Sequence, residues 1–309
     1  MPEFKDFTFE SSTGKNTIHV RKCVPDGEVK GVVQIAHGIS EHINRYDAFM
    51  EFLANNGFVA VGNDHLGHGQ SYSSPEEKGI FAVKSGWTYV VSDMLKLHDI
   101  MVQEYPNVKY IMFGHSMGSF LTRTYMIEHP DSYDFAILSG TGHMKRAIYI
   151  GGCAIADFFS KKEGLNHEGN KLEKVAFGNY ESKISNPRTD YDWLSTVDEE
   201  VDKYLADENC GFTCKNALYR DMMHGLLAIT SKKKIAKMDK TKPVYFMSGK
   251  DDPVGEYGVG VERAYKAFCD AGMQDVTIKL YAGGRHEMLN EKNRTEVMDD
   301  ILSWINSKM

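Results

Sequence analysis

Gly114-His115-Ser116-Met117-Gly118 lies between an apolar run at 110–113 and a helical pattern at 120–129. A buried strand that becomes a helix within so few residues must turn very sharply. Glycine on both sides of the corner leaves room for the neighbouring strands and the helix to approach. The serine at the apex is then held at strained backbone angles with its hydroxyl exposed. A free serine hydroxyl is a weak nucleophile, so chemistry at such a corner requires a base and an acid from elsewhere in the chain.

The rest of the sequence supplies a sheet for that corner. Residues 4–9 and 18–24 alternate apolar and polar side chains around Ser11-Ser12-Thr13-Gly14, which predicts an antiparallel hairpin. Runs at 31–36, 58–61, 110–113 and 135–138 are apolar apart from Gln34, as in strands buried on both faces. Helical patterns at 46–55, 89–104 and 120–129 separate them, and this alternation predicts a parallel sheet. The rhythm stops after Gly142. From about 145 to 232 the pattern is helical or loop-like, with no buried strand. Strand character returns at 244–247 and 276–281, and a last helix is expected over 295–307. The total is eight strands. The connection after the sixth is too long for a plain loop. It is expected to be an insertion, so that 1–143 and 233–309 form one α/β core and 144–232 a mainly helical cap.

At 309 residues, with 42% hydrophobic and 26% charged, the chain suits a soluble globular protein with a large core. Its net charge of -7 argues against a nucleic-acid partner, which would want a basic face. The five cysteines are odd in number and scattered, so reduced thiols in a cytoplasmic protein are expected rather than a disulfide framework. Cys210 and Cys214 are spaced like half of a metal site, but no second pair or adjacent histidine completes it, and no metal is expected. The first residues lack the basic and apolar stretches of a signal peptide. No apolar run reaches the roughly 18 residues of a membrane span.

With Ser116 as nucleophile, the base is expected late in the chain. His286, in Gly283-Gly284-Arg285-His286-Glu287, follows the final strand on the carboxyl rim, where α/β sites are built. The acid is expected on the loop after the preceding strand, Ser248-Gly249-Lys250-Asp251-Asp252. Two aspartates compete there, and composition alone does not separate them. Backbone N–H groups of Met117 and Ile39 are the expected oxyanion donors, the second from the loop His37-Gly38-Ile39-Ser40-Glu41-His42. His37 reads as a loop brace. Asp64-His65-Leu66-Gly67-His68-Gly69 could ligate a metal, but two glycines in a rim loop favour supporting hydrogen bonds. His115, at the variable position of the corner, is assigned no chemistry.

Three motifs occur in order: His37-Gly38-x-x-Glu41-His42-x-x-Arg45-Tyr46, Asp64-His65-x-Gly67-His68-Gly69-x-Ser71, and Gly114-His115-Ser116-Met117-Gly118. Together they resemble the monoacylglycerol lipase and bacterial lysophospholipase group of serine hydrolases, which overlaps the serine aminopeptidase S33-like group. The resemblance extends to Gly249-x-x-Asp252 and His286, and it favours Asp252 over Asp251 as the acid. Residues 186–195 and Cys210-Gly211-Phe212 resemble the cap of the bacterial members. The resemblance implies an α/β-hydrolase fold with a helical lid over an acyl-binding tunnel, and neither metal nor organic cofactor.

The expected activity is therefore that of a serine carboxylic ester hydrolase. Its substrate would be a single-acyl lipid ester, of monoacylglycerol or lysophospholipid type, or a short-chain acyl ester. Apolar cap segments such as 147–150, 154–156 and 226–229 could line a tunnel, although most are expected to pack the cap onto the core. Met222-Met223 and Trp193 are read as packing. Lys161-Lys162 and Lys232-Lys233-Lys234 read as solvated surface, with transient contact between the cap and a membrane surface as the alternative. Amide or peptide hydrolysis by the same triad is the competing activity, with Glu163, Asp198 and Glu199 as candidates to hold a substrate amine. Activity is expected to fall as His286 protonates, near its ordinary value of about 6.5.

Overall fold

The computed structural model describes residues 1–309. Its strands are β1 (Glu3–Glu10), β2 (Thr17–Val24), β3 (Gly31–Ala36), β4 (Phe58–Asn63), β5 (Lys109–His115), β6 (Phe135–Ser139), β7 (Val244–Gly249) and β8 (Val276–Tyr281). They form one sheet in the order β1-β2-β4-β3-β5-β6-β7-β8. The predicted hairpin pairs Glu3 with Val24 and Glu10 with Thr17, and β2 runs antiparallel to β4. Every other neighbour is parallel. This is the α/β-hydrolase architecture, a mostly parallel sheet between helices.

Helices fill the crossovers: α1 (Asp47–Asn55), α2 (Gly86–Glu104) and α3 (Met117–Glu128) follow β3, β4 and β5. Between β6 and β7 come α4 (Arg146–Glu163), α5 (Asn170–Phe177), α6 (Asp198–Ala206), α7 (Asn216–Ile229) and the short α8 (Lys232–Ile235), with no strand. α9 (Val259–Asp270) and α10 (Arg294–Asn306) complete the chain.

Successive residues of a strand point to opposite faces, and here that divides the apolar runs between two cores. Val32, Tyr110, Met112, Ala136, Leu138 and Phe246 join the core under α2, α3 and α9. Their sequence neighbours Val33, Ile111, Phe113, Ile137, Tyr245 and Met247 join the core under α1 and α10. Each of the larger aliphatic and Phe side chains, once fully buried, contributes about 1.5–3 kcal/mol, so a one-residue slip in any central strand would be penalised on both faces at once.

The segment between β6 and β7 shares the first of these cores through Tyr149, Ala156, Leu218, Met222 and Leu226. α7 presses closely on α2, since a Cβ at Gly225 would sit 2.5 Å from the Trp87 indole. The same segment also ties two rim loops. Gly211 N–H and Tyr204 Oη–H donate to the Ser40 carbonyl at 3.0 and 3.1 Å. On the other side, Arg285 Nη1 donates to the Asp192 and Ser195 carbonyls, and Glu287 N–H to Leu194 O.

Candidate active site

β5 ends at His115 and α3 begins at Met117, so Ser116 alone makes the corner. Its backbone is at φ 52°, ψ -122°, an unfavourable region for a residue with a side chain. The surroundings hold it there: Ser116 N–H donates to Ser139 O at 2.9 Å, and Ser119 donates its N–H and hydroxyl to Ser116 O at 2.9 and 2.6 Å. A Cβ at Gly118 would overlap the Ala36 carbonyl, and one at Gly114 the Thr122 hydroxyl and the Gly118 backbone. Strand and helix reach this separation only because both positions lack side chains. Met117 is the first residue of α3, so its N–H has no acceptor within the helix.

The loop after β8 carries His286, which is buried. Its Nδ1 lies 3.0 Å from Asp252 Oδ2. A carboxylate at Nδ1 selects the Nδ1–H tautomer and leaves Nε2 as the proton acceptor. The remaining capacity of Asp252 is filled by Ser248 Oγ–H at 3.0 Å and Val254 N–H at 2.9 Å. Asp251, by contrast, is exposed, and its own N–H donates to Gly284 O. The geometry thus separates the two aspartates that composition left open. Ser116 and His286 line one recess without a direct hydrogen bond between them. Such contacts are often long until substrate binds.

Burial pulls the His286 pKa down, but the Asp252 charge and hydrogen bond outweigh it, and the result lies above the ordinary histidine value. Glu287 and Glu41 push in the same direction. His115 packs on His286 with ring centroids 4.7 Å apart, and its Nδ1 lies 3.2 Å from Ser139 Oγ. Burial, with a smaller effect from His286, lowers its pKa to about 4, so it stays neutral.

The loop after β3 approaches from the other side. A Cβ at Gly38 would lie 3.2 Å from Ser116 Cβ, and Ile39 lines both recesses that meet at Ser116. His37 joins rim loops: its Nε2 accepts the His65 N–H at 2.9 Å, and its Nδ1 donates to Gly38 O at 2.7 Å. Asp64 accepts from Ile43 N–H and Gln70 N–H and bonds the His19 ring, all at 2.9 Å. Burial holds the pKa values of His37, His65 and His68 down, so all three are neutral.

Ser116 stands where two recesses join. One is an apolar slot of about 310 Å³, 17 of whose 21 lining residues are hydrophobic, among them Phe120, Tyr149, Met222 and Leu226. The other is small and mixed in character, with the carboxylates Glu41, Glu173 and Glu287 beside Tyr191, Tyr204, Phe177 and Leu194. Trp193, read from the sequence as packing, borders both recesses and lies 5.0 Å from the His286 ring, centroid to centroid. Met222 and Met223 also line the slot rather than only fill a core. No local pattern marked these three residues.

The expected amine-binding carboxylates lie elsewhere: Glu163 pairs with Lys171, Asp198 with Arg188, and neither they nor Glu199 lines a recess at Ser116. Cys210 and Cys214 face different partners. Cys214 Sγ is 3.4 Å from Ser40 Oγ, whereas Cys210 lies with His42 and Asp207, which bond each other at 2.8 Å. All five cysteines are unpaired.

The family model Hydrolase_4, described as serine aminopeptidase, S33, matches residues 27–293. The chain is 26% identical over 288 residues to a monoacylglycerol lipase of Mycolicibacterium smegmatis, covering 92% of this chain and 91% of that protein. It is 26% identical over 290 residues to the monoglyceride lipase of Homo sapiens, covering 92% and 85%. Among solved structures, a thermostable carboxyl esterase from Bacillus coagulans, in complex with glycerol, superposes with a TM-score of 0.91 at 29% identity over 98% of each chain. A family match of that extent, on a sheet of this topology, makes the chain a member of the Hydrolase_4 family of α/β-hydrolases, in the monoglyceride lipase and esterase group.

Proposed function

We propose that this protein hydrolyses a single-acyl lipid ester through an acyl-enzyme on Ser116, with residues 144–232 acting as the cap. The observation that carries this reading is the pair of recesses meeting at Ser116. The apolar slot suits one acyl chain, and the smaller recess, with three carboxylates and two tyrosines on its wall, suits the alcohol it is esterified to. The carboxylates Glu41, Glu173 and Glu287 at that recess favour an uncharged hydroxylated head, as in a monoacylglycerol, over the phosphate of a lysophospholipid.

His286 Nε2 takes the Ser116 proton as the oxygen attacks the ester carbonyl. Asp252 keeps the imidazole in the productive tautomer and stabilises the imidazolium. The Ile39 and Met117 N–H groups receive the oxyanion, each worth about 3–4 kcal/mol in the transition state. His286 then protonates the departing alcohol. Water, deprotonated by His286, attacks the acyl-enzyme, and the acid leaves as Ser116 regains its proton. No step calls for a metal or cofactor. Ile148, Ile155 and Val175, at the slot's border, are exposed, so the same face of the cap would meet the lipid surface from which substrate is drawn. No helix is long and apolar enough to cross a membrane.

An ester series of increasing chain length tests this. kcat/KM should rise about fourfold per added methylene, the equivalent of ~0.8 kcal/mol, until the slot is filled. A flat series would remove the acyl role of the slot. Aminoacyl amides assayed in parallel test the competing activity, which the family's aminopeptidase description and Glu173 at the smaller recess support.

The pH dependence has a defined sign. The base works only when neutral, so kcat/KM should fall as pH drops through the His286 pKa. Because Asp252 raises that pKa, the acid limb should have its midpoint above 6.5. A midpoint below 6.5 would mean that burial dominates and Asp252 does not act on the ring as described.

A further inference from the structure

Three side chains beneath the site, none more than 12% exposed, take part in no chemical step above. Arg45 Nη1 donates to Glu287 Oε1 and its Nη2 to Glu287 Oε2, both at 2.7 Å, while Nη1 also reaches Glu41 Oε2 at 2.5 Å. The side chains of Arg45, Glu41 and Glu287 are only 12%, 4% and 6% exposed. Each carboxylate is bound to a different piece of the proposed machinery. Glu41 Oε1 accepts the Gly38 N–H, directly before Ile39, and the Tyr46 hydroxyl. Glu287 is the residue after His286.

We infer that Arg45 is a positioning residue that clips the loop presenting the Ile39 N–H to the loop presenting His286. The inference rests on the serine-hydrolase reading above, since it concerns how that site is held.

The two loops are distant in sequence, with Arg45 and Glu287 242 residues apart. The first needs outside support. Ser40, within the first loop, has φ 51°, a conformation that persists only when its neighbours over-determine it. The planar guanidinium grips Glu287 with two parallel bonds and still reaches Glu41, which an ammonium on a flexible stem does not reproduce. Tyr204, from the segment between β6 and β7, covers the guanidinium face at 4.9 Å. An oxyanion donor and a base must keep their mutual geometry to within a fraction of an ångström, and a misplacement of about 1 Å can lower the rate about 100-fold.

The cluster also sets a charge. Two carboxylates against one guanidinium leave a net negative charge near His286. The charged and titratable groups facing His286 are Asp252 from the loop after β7, Glu287 beside it, Glu41 from the loop after β3, and neutral His115 from the end of β5; Arg45 bears on it through the carboxylates. Glu287 and Glu41 raise the His286 pKa. Removing one of these charges therefore moves the acid limb to lower pH, a readout that a loss of folded protein would not produce.

The test compares wild type, Arg45→Lys, Arg45→Met and Glu287→Gln by kcat and KM across pH, with active sites counted by fluorophosphonate labelling and folding followed by Tm. Per labelled site, Arg45→Met should lose about 100-fold in kcat and Arg45→Lys about 10-fold or more, with KM changed less than about threefold. Glu287→Gln should lower kcat and shift the acid limb downward. Wild-type kcat per site in Arg45→Lys, or an unmoved limb in Glu287→Gln, overturns the proposal. If Arg45→Met does not fold, the other two variants decide. Failure of the wild type itself to label would instead overturn the serine-hydrolase reading.

Discussion

Ser116→Ala is expected to lower kcat by about 10⁴-fold or more, leaving only what substrate binding and the oxyanion donors supply. The expectation follows from the position of the hydroxyl rather than from its presence in a motif. Ser116 alone forms the corner between β5 and α3, and the two recesses meet at it. No other hydroxyl is held there: Ser119 Oγ is turned back to the Ser116 carbonyl, and Ser139 Oγ is beside His115. Folding should be nearly unchanged, within about 0.5 kcal/mol, because the stabilising bonds at this residue are made by its backbone. The check is kcat on an ester substrate together with Tm. Activity within tenfold of wild type, in a preparation free of wild-type enzyme, would falsify the acyl-enzyme mechanism.

Asp252→Asn should lose about 10⁴-fold in kcat, while Asp251→Asn stays within about twofold of wild type. An asparagine at 252 can still accept the Val254 N–H, so the loop is expected to hold. What changes is the partner offered to His286 Nδ1. An amide can turn an N–H toward the ring, which selects the tautomer whose Nε2 is already protonated and so unable to take the serine proton. The developing imidazolium also loses its counter-charge. Asp251 is exposed and makes no contact with the ring, so its charge is screened by solvent. Equal losses at both positions would contradict the assignment of the acid.

These two variants also mark where sequence reasoning reached and where it stopped. The corner at 114–118 was legible because a strand-to-helix turn this sharp needs glycine at fixed places, a local steric requirement. The central strands were legible because a strand buried on both faces is apolar almost throughout, and the first two because their residues alternate. His286 could be placed because the last strand fixes which loop reaches the rim. The choice between Asp251 and Asp252 could not be made from composition, since both are aspartates on the same loop. One bond to a ring 34 residues away separates them. Trp193 was read as packing, and it does pack, but on His286 and at the border of both recesses. Its surroundings come from a segment whose fold is not periodic.

The His286 pKa shows the same division. An isolated imidazole titrates near 6.5, and the sequence supports no better value. The direction of the shift depends on burial opposing the charges of Asp252, Glu287 and Glu41, which come together only in the folded chain. Arg45 and Glu41 stood in a quoted motif, yet nothing local tells that the guanidinium also takes Glu287 at the far end of the chain.

The amino-acid order alone determined the sheet and the serine at its corner, because each follows from side-chain periodicity or backbone sterics within a few residues. Tertiary structure put Asp252, which the motif resemblance had favoured, against His286, and it alone decided that an apolar slot and a second, smaller recess join at Ser116 and that one largely buried guanidinium ties two rim loops together. Those are distances between residues far apart in the chain, and burial and charge act through such distances.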